Sequence, residues 1–191
     1  MIWRIEVAGR PESNDAAGRA AVDDLTDAGL EGILSGRYVR VFTIDGQVSR
    51  QDATRIAVEL LADPVTDRFS INEAIDTGLA PPTLTVEVAK RPGVMDPVEA
   101  STLKGIADMG LRADTVSTAR KYVFRARCSA EDFHRVAAEV LANEVIEECH
   151  FGHVEPSPRR KVEPYRFRKV EVPLASAKDA DLIKISKDRG L

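Results

Sequence analysis

The chain has 191 residues, 43% of them hydrophobic and 30% charged, with a formal net charge of −4 at pH 7. Two cysteines are too few for a disulfide framework, and no segment approaches the roughly 20 consecutive apolar residues of a membrane-spanning helix. Charges at the start of the chain leave no apolar run for a secretory signal. We therefore expect a cytoplasmic protein of one large or two small domains, neither disulfide-stapled nor embedded in a membrane.

The first part of the chain has the pattern of a small α+β unit. Trp3, Ile5 and Val7 alternate with charged residues, which is the period of a half-buried strand. Asp15 can cap a following helix, and Ser49 with Asp52 gives a capping-box-like start to a second one. The predicted elements are a strand at 3–7, a helix closed by Gly29, an extended segment at 38–44, a helix from Ser49 and a short strand near 68–71.

The same pattern occurs a second time along the chain. When the sequence is aligned with itself, Glu6-Val7-Ala8 matches Glu87-Val88-Ala89, and the segment that starts at Ser49 matches the one that starts at Ser129. Identities in register with caps and turns indicate a duplication. We place the repeats at residues 1–75 and 83–154, joined by a linker at 76–82 and followed by a basic connector and a short helix at 155–191.

Each repeat is predicted to be an antiparallel sheet covered on one face by two helices. A unit of about 75 residues buries a modest core and leaves open strand edges. Pairing the two repeats within one chain relieves both problems. The sequence therefore predicts that the two repeats pair within one chain as an intramolecular pseudo-dimer. The chain itself can then be a monomer.

Several motifs of both repeats resemble the PurS family, the small subunit of phosphoribosylformylglycinamidine synthase. The second repeat carries the segment 91–97, Arg-Pro-Gly-Val-Met-Asp-Pro, then Lys121-Tyr122 and Leu141-Ala142-Asn143. The first carries Asn14-Asp15, Gly36-Arg37-Tyr38 and the segment 61–65, Leu-Ala-Asp-Pro-Val. The chain departs from the family pattern at Ala16, Arg120 and Glu144.

The resemblance implies a non-catalytic role in purine biosynthesis. PurS proteins dimerise and hold together the glutaminase and synthetase subunits, so that ammonia passes between them. A fused tandem is similar to the N-terminal region of the large single-chain enzyme, and whether this chain is a stand-alone subunit or such a region is left open. ATP, magnesium and glutamine would be used by the complex, with no cofactor bound by this chain. The resemblance places Arg37 and Lys121 at the family's strand-start lysine, each followed by a tyrosine, Tyr38 or Tyr122. These four are the implied partner-interface residues, and the expected helix caps are Asp15 and Asp96.

Sequence motifs for catalysis are missing from the chain. There is no G-x-G-x-x-G, no P-loop, and no glycine-flanked cysteine of a nucleophile elbow. Cys149 and His153 would share one face of a strand, which gives two ligands where zinc usually needs three or four. We expect no catalytic residues and no metal, although the chain is expected to belong to an ATP-dependent ligase.

Two other classes of function are weighed against the scaffold. A duplicated regulatory module that binds a small molecule would need a glycine-rich loop or anion-binding residues between the repeats. A nucleic-acid arm is suggested by the basic run Arg159-Arg160-Lys161, but residues 1–154 contain 17 Lys and Arg against 25 Asp and Glu, which would repel phosphate. The regulatory module is kept as the alternative, and no nucleic-acid partner is expected.

Overall fold

The computed structural model describes residues 1–11, 14–156, 167, 169, 171–172, 174 and 177–189. The chain divides into two compact units, residues 1–161 and residues 162–191. Six described strands and four described helices lie in the larger unit, and one described helix lies in the smaller unit.

The predicted order of strand, helix, long strand, helix and short strand occurs twice in the larger unit. Its first copy consists of β1 (Ile2–Gly9), α1 (Ala16–Asp27), β2 (Ile33–Gly46), α2 (Arg50–Ile56) with a π-helical turn (Ala57–Leu61), and β3 (Asp67–Ile71). Its second copy consists of β4 (Thr83–Lys90), α3 (Pro97–Asp108), β5 (Ala113–Ala126), α4 (Ala130–Leu141) and β6 (Glu147–Phe151). Ser49 begins α2 with a complete capping box, and Ser129 caps α4.

The strands form one six-stranded antiparallel sheet with the order β3-β1-β2-β5-β4-β6. The predicted α+β class is therefore confirmed. The two 14-residue strands, β2 and β5, lie at the centre, and the two five-residue strands, β3 and β6, lie at the edges. One continuous sheet joins both copies of the pattern.

The first and third elements pair in the same register in both copies. Ile5 lies opposite Phe42, and Val86 lies opposite Tyr122. Val86 matches Ile5 when the sequence is aligned with itself, so the strand pairing makes Tyr122 the structural counterpart of Phe42. Arg40 lies opposite Val7 and Arg120 lies opposite Val88, so the two arginines are structural counterparts. In the central pair of strands they lie opposite each other.

One face of the sheet carries the helices, which are paired differently from the prediction. Leu25 of α1 belongs to the same buried cluster as Phe133 of α4, whereas Ile106 of α3 belongs to the cluster of Ile56 in α2. Each pair of helices therefore combines the two repeats, and no repeat is covered by its own two helices alone. The reason is the length of β2, whose first residue, Ile33, already pairs with β5 and packs in the cluster of α4.

The smaller unit contains α5 (Asp179–Arg189). The basic run at 159–161 lies outside the described residues. Among the described helices, none is long and apolar enough to cross a membrane.

Candidate functional site

Four charged residues are buried on the open face, the side of the sheet opposite the helices. Their exposed fractions are 7% for Arg4, 1% for Glu6, 5% for Glu87 and 9% for Lys121. Burying a charge is costly unless it is paired and hydrogen-bonded. These four residues, the charge network, are therefore the least expected feature of an otherwise ordinary core.

Each cation of the charge network contacts a carboxylate of the other repeat. Arg4 Nη2 lies 2.5 Å from Glu87 Oε2, and Lys121 Nζ lies 2.9 Å from Glu6 Oε2. Arg4 Nη2 also donates to Glu6 Oε1 at 2.8 Å. The two repeats are thus connected by reciprocal ion pairs.

The Arg4–Glu87 contact spans the two central strands on the open face. Arg4 lies on β1 and Glu87 on β4, with β2 and β5 between them. Neighbouring strands are about 4.8 Å apart, so these two strands would be separated by roughly 14 Å in a flat sheet. The two long side chains lean toward each other over β2 and β5 and so cover this separation.

The ionised forms are stabilised within the charge network. Burial acts to raise the pKa of Glu6, but the Ile75 backbone N–H, Lys121 and Arg4 outweigh it and hold the pKa below its ordinary value. Burial likewise acts to lower the pKa of Arg4, and Glu87 and Glu6 outweigh it, so this pKa is raised. Glu6 and Arg4 therefore stay charged at neutral pH, and removing the partner of either leaves a buried charge unpaired.

The segment after β3 covers part of the charge network. Asn72 Oδ1 accepts a hydrogen bond from Arg4 N at 2.8 Å, and Ile75 N donates to Glu6 Oε2 at 3.0 Å. A cavity of about 320 Å³ lies beside the network and is also lined by residues 152–156. The charge network is thus bordered by the segment that follows β3 and by the segment that follows β6.

On the opposite face, aromatic and basic residues meet at the centre of the sheet. Tyr38 lies opposite Tyr122, with ring centroids 5.4 Å apart, two positions from the Arg40–Arg120 pair. The side chains of Arg40 and Arg120 are 42% and 41% exposed. We call this region, which lies between the two pairs of helices, the central cleft.

Of the four residues implied as a partner interface, the structure brings Tyr38 and Tyr122 together and separates the other two. Arg37 is half-buried and its Nη2 donates to the Pro11 carbonyl oxygen at 2.6 Å, whereas Lys121 is buried in the charge network. Arg37 and Lys121 also do not occupy corresponding positions. Val41 corresponds to Lys121, because Val41 lies opposite Glu6 and Lys121 lies opposite Glu87. Contact of these residues with another protein stays a prediction.

Asp15 and Asp96 precede α1 and α3, and each carboxylate bonds in two directions. Asp15 accepts from Gly18 N at 2.7 Å, inside the helix, and from Tyr38 N at 2.8 Å, on the central strand. Asp96 accepts from Val98 N at 3.0 Å and from the Thr118 hydroxyl. Both aspartates therefore cap a helix and also fasten it to a central strand.

Histidines and cysteines near β6 do not converge. His150 Nε2 lies 3.3 Å from Glu148, and His153 Nε2 lies 3.0 Å from Glu155. Among the described residues, no group of three or more His, Cys, Asp and Glu side chains is arranged to hold a metal ion.

Sequence reasoning missed the charge network. Glu6 and Glu87 identify the repeat, and Arg4 is one of the charged residues that alternate with apolar ones in the first strand, but neither pattern predicts an ion pair. A signal was present, because both glutamates recur at the same place in strands that are otherwise rich in apolar residues. The alternation gives the face of a side chain but not its partner on a distant strand.

Neither a protein-family model nor a curated protein matches this chain.

Proposed function

We propose that this chain is a PurS-like scaffold of phosphoribosylformylglycinamidine synthase, either as a separate subunit or as an N-terminal domain. In this role it docks the glutaminase and synthetase parts in the cytoplasm so that ammonia passes between them. The motif resemblance of both repeats supports the proposal. ATP, magnesium and glutamine are then bound by the partners, and this chain supplies surfaces.

Reciprocal ion pairing between the repeats is the observation that carries the proposal. The repeats at residues 1–75 and 83–154 form an intramolecular pseudo-dimer, in which Arg4 pairs with Glu87 and Lys121 pairs with Glu6 across the centre of one sheet. The strand order is unchanged when the repeats are exchanged, as a two-fold axis between Arg40 and Arg120 requires. This is the arrangement that fusion of a PurS-type dimer would produce.

The two ends of the pseudo-dimer differ in charge, which suits a scaffold with two different partners. Arg68 of β3 lies opposite Ala8, and Glu148 of β6 lies opposite Ala89, the corresponding alanine of the other repeat. A cation therefore stands at one edge where an anion stands at the other. A partner surface complementary to one edge meets like charge at the opposite edge, which enforces a single orientation.

The test is size-exclusion chromatography with light scattering of the chain, alone and with glutaminase and synthetase subunits from the same source, in the presence of ATP, magnesium and glutamine. We expect a monomer alone and a larger complex in the mixture. Arg68→Glu and Glu148→Arg serve as controls for each other, since each is expected to weaken association with a different subunit. Association with neither subunit would refute the scaffold and favour the duplicated regulatory module.

A further inference from the structure

The two halves of the open face differ in what lies over them. Residues 72–76, which we call the covering segment, lie over the first repeat. Ile75 of this segment is 8% exposed and packs in one cluster with Ala8, Val39 and Val41. The first repeat therefore has its half of the open face covered by its own chain.

Two side chains of β3 hold the backbone of the covering segment. The Ser70 hydroxyl donates to the Glu73 carbonyl oxygen at 2.7 Å, and the Arg68 guanidinium donates to the Asp76 carbonyl oxygen. These contacts use the backbone of the segment and leave the choice of its side chains open. The cover thus consists of a short segment, fastened to the edge strand, that inserts one apolar side chain over the sheet.

Within the part of the chain that the structure describes, the second repeat has no such cover. Residues 152–155 follow β6 as residues 72–75 follow β3, so Glu155 takes the place of Ile75. The Glu155 side chain is 84% exposed, and it lies 3.0 Å from His153 Nε2. The buried isoleucine of the first repeat is therefore replaced by an exposed carboxylate in the second.

A cavity of about 410 Å³ lies on this half of the open face. Ala89 and Ala119 line it, and they are the counterparts of Ala8 and Val39. Ala8 is 6% exposed and Val39 is fully buried, whereas Ala89 and Ala119 are only half-buried. The surface that Ile75 buries in the first repeat is thus accessible in the second.

Carboxylates outnumber cations around the cavity. Two cations, Arg4 and Lys90, line it, and so do the carboxylates of Glu87, Asp96, Glu99, Glu148 and Glu155. Arg4 is paired with Glu87, and Lys90 is paired with Glu147 at 2.7 Å. Because both cations already have partners, the charge of the cavity favours a cationic occupant and repels an anionic one.

Glu148 determines which chemical group a cover over the second repeat would need. Arg68 lies opposite Ala8 and Glu148 lies opposite Ala89, so Glu148 takes the place of Arg68. Arg68 donates a hydrogen bond to the covering segment, whereas an ionised carboxylate only accepts one. An occupant of the second repeat must therefore bring a donor of its own, which a lysine or arginine side chain supplies.

We propose that the second repeat's half of the open face binds a segment of a partner protein that carries a basic side chain next to an apolar one. The apolar side chain lies against Ala89 and Ala119, as Ile75 does over the first repeat, and the basic side chain pairs with Glu148. The inference rests on the packing and charge of this chain and not on the identity of the partner. It is therefore separate from the scaffold proposal.

A synthetic peptide based on the covering segment supplies the probe. It has the sequence of residues 72–78 with the changes Glu73→Lys and Asp76→Lys and with blocked ends, so its formal net charge is +2 instead of −2. Two further peptides, the unchanged sequence and the basic peptide with serine in place of isoleucine, should bind at least about tenfold more weakly. The carboxylates repel the first, and the second buries no large apolar group. Equal binding of all three peptides would overturn the proposal.

NMR of the whole, unaltered chain locates the peptide. During titration with the basic peptide, the methyl resonances of Ala89 and Ala119 should shift to saturation. The Ala8 methyl resonance is the internal control and should stay in place, because Ile75 already covers Ala8. Unchanged Ala89 and Ala119 resonances, or an equal shift of Ala8, would refute the site.

A matched pair of variants tests the role of charge. Isothermal titration calorimetry should show that Glu148→Gln weakens binding of the basic peptide about fivefold, the effect of losing a partly exposed ion pair. The Glu148 side chain is 39% exposed and glutamine keeps its shape, so the fold is preserved. Glu59→Gln is the control, because Glu59 pairs with Arg55 on an exposed helical turn. Equal affinities of the two variants would contradict the proposal, and no measurement here involves the glutaminase or the synthetase.

Discussion

Replacing Lys121 with methionine tests whether the charge network holds the two repeats together. Methionine keeps much of the side-chain volume and removes the ammonium group that lies 2.9 Å from Glu6. Breaking a buried ion pair typically costs about 3 to 5 kcal/mol, because the remaining charge stays buried. Glu6 retains Arg4 at 2.8 Å and the Ile75 N–H at 3.0 Å, so we expect the lower end, about 3 kcal/mol.

The matched control is Lys104→Met. Lys104 pairs with Asp108 one turn away on α3, and its side chain is 76% exposed. A pair of this kind contributes about 0.5 kcal/mol or less. Urea unfolding followed by circular dichroism gives the free energy of unfolding of both variants. Equal losses of stability in Lys121→Met and Lys104→Met would refute the reasoning.

A double variant separates the ion pair from simple packing. Glu6→Gln combined with Lys121→Met removes both charges of one pair and leaves Arg4 with Glu87. The loss of stability should then be smaller than the sum of the two single losses by about 1 to 3 kcal/mol, the usual coupling energy of contacting residues. Additive losses would mean that the two charges act independently.

Three further predictions concern pH, caps and close packing. The pKa of Glu6 in the folded protein lies below its ordinary value of 4.5, so its contribution to stability is complete above pH 4.5 and is lost as the pH falls through the folded pKa. In Glu6→Gln, the free energy of unfolding should therefore change less with pH in the acid range than in the unaltered chain, as acid unfolding titrations would measure. Asp96→Ala should lower the free energy of unfolding by about 2 kcal/mol, about 1 for the cap and about 1 for the bond to β5, and an unchanged melting temperature would contradict this. Gly18→Ala should lower the melting temperature although alanine has the better helix propensity, because the new Cβ would lie 2.6 Å from the Gly36 carbonyl oxygen. Gly105→Ala should be tolerated in the same experiment, because its Cβ meets only the flexible end of a leucine side chain.

Local features of this fold could be predicted from the sequence. The alternation of Trp3, Ile5 and Val7 gave a strand, Ser49 a capped helix and Asp15 the start of α1, because each depends on residues within one or two turns of the chain. Because the sequence repeats, the elements predicted for the first copy also predict those of the second. These contacts are short in sequence, and propensity and capping describe them well.

Contacts between distant segments could not be predicted in the same way. Leu25 has the spacing of a core residue, but nothing in α1 indicates that it meets Phe133 of α4 and not α2. Aligning Arg37 with Lys121 by their neighbouring tyrosines gave the wrong correspondence, since strand register is set by the whole ladder. The π-helical turn Ala57–Leu61 has no counterpart in α4, and the two segments share most of their pattern.

Differences between corresponding positions bear most directly on function. The glutamates Glu6 and Glu87 are retained in both repeats, while the cations stand at different places: Arg4 corresponds to Thr85, and Lys121 corresponds to Val41. Each repeat still supplies one cation and one carboxylate, so the interior stays balanced although the two repeats are no longer alike. A duplication that preserves this balance allows the outer strands to diverge in charge without loss of the shared core. Under the proposed function, that freedom lets a single chain offer different surfaces to two different partners.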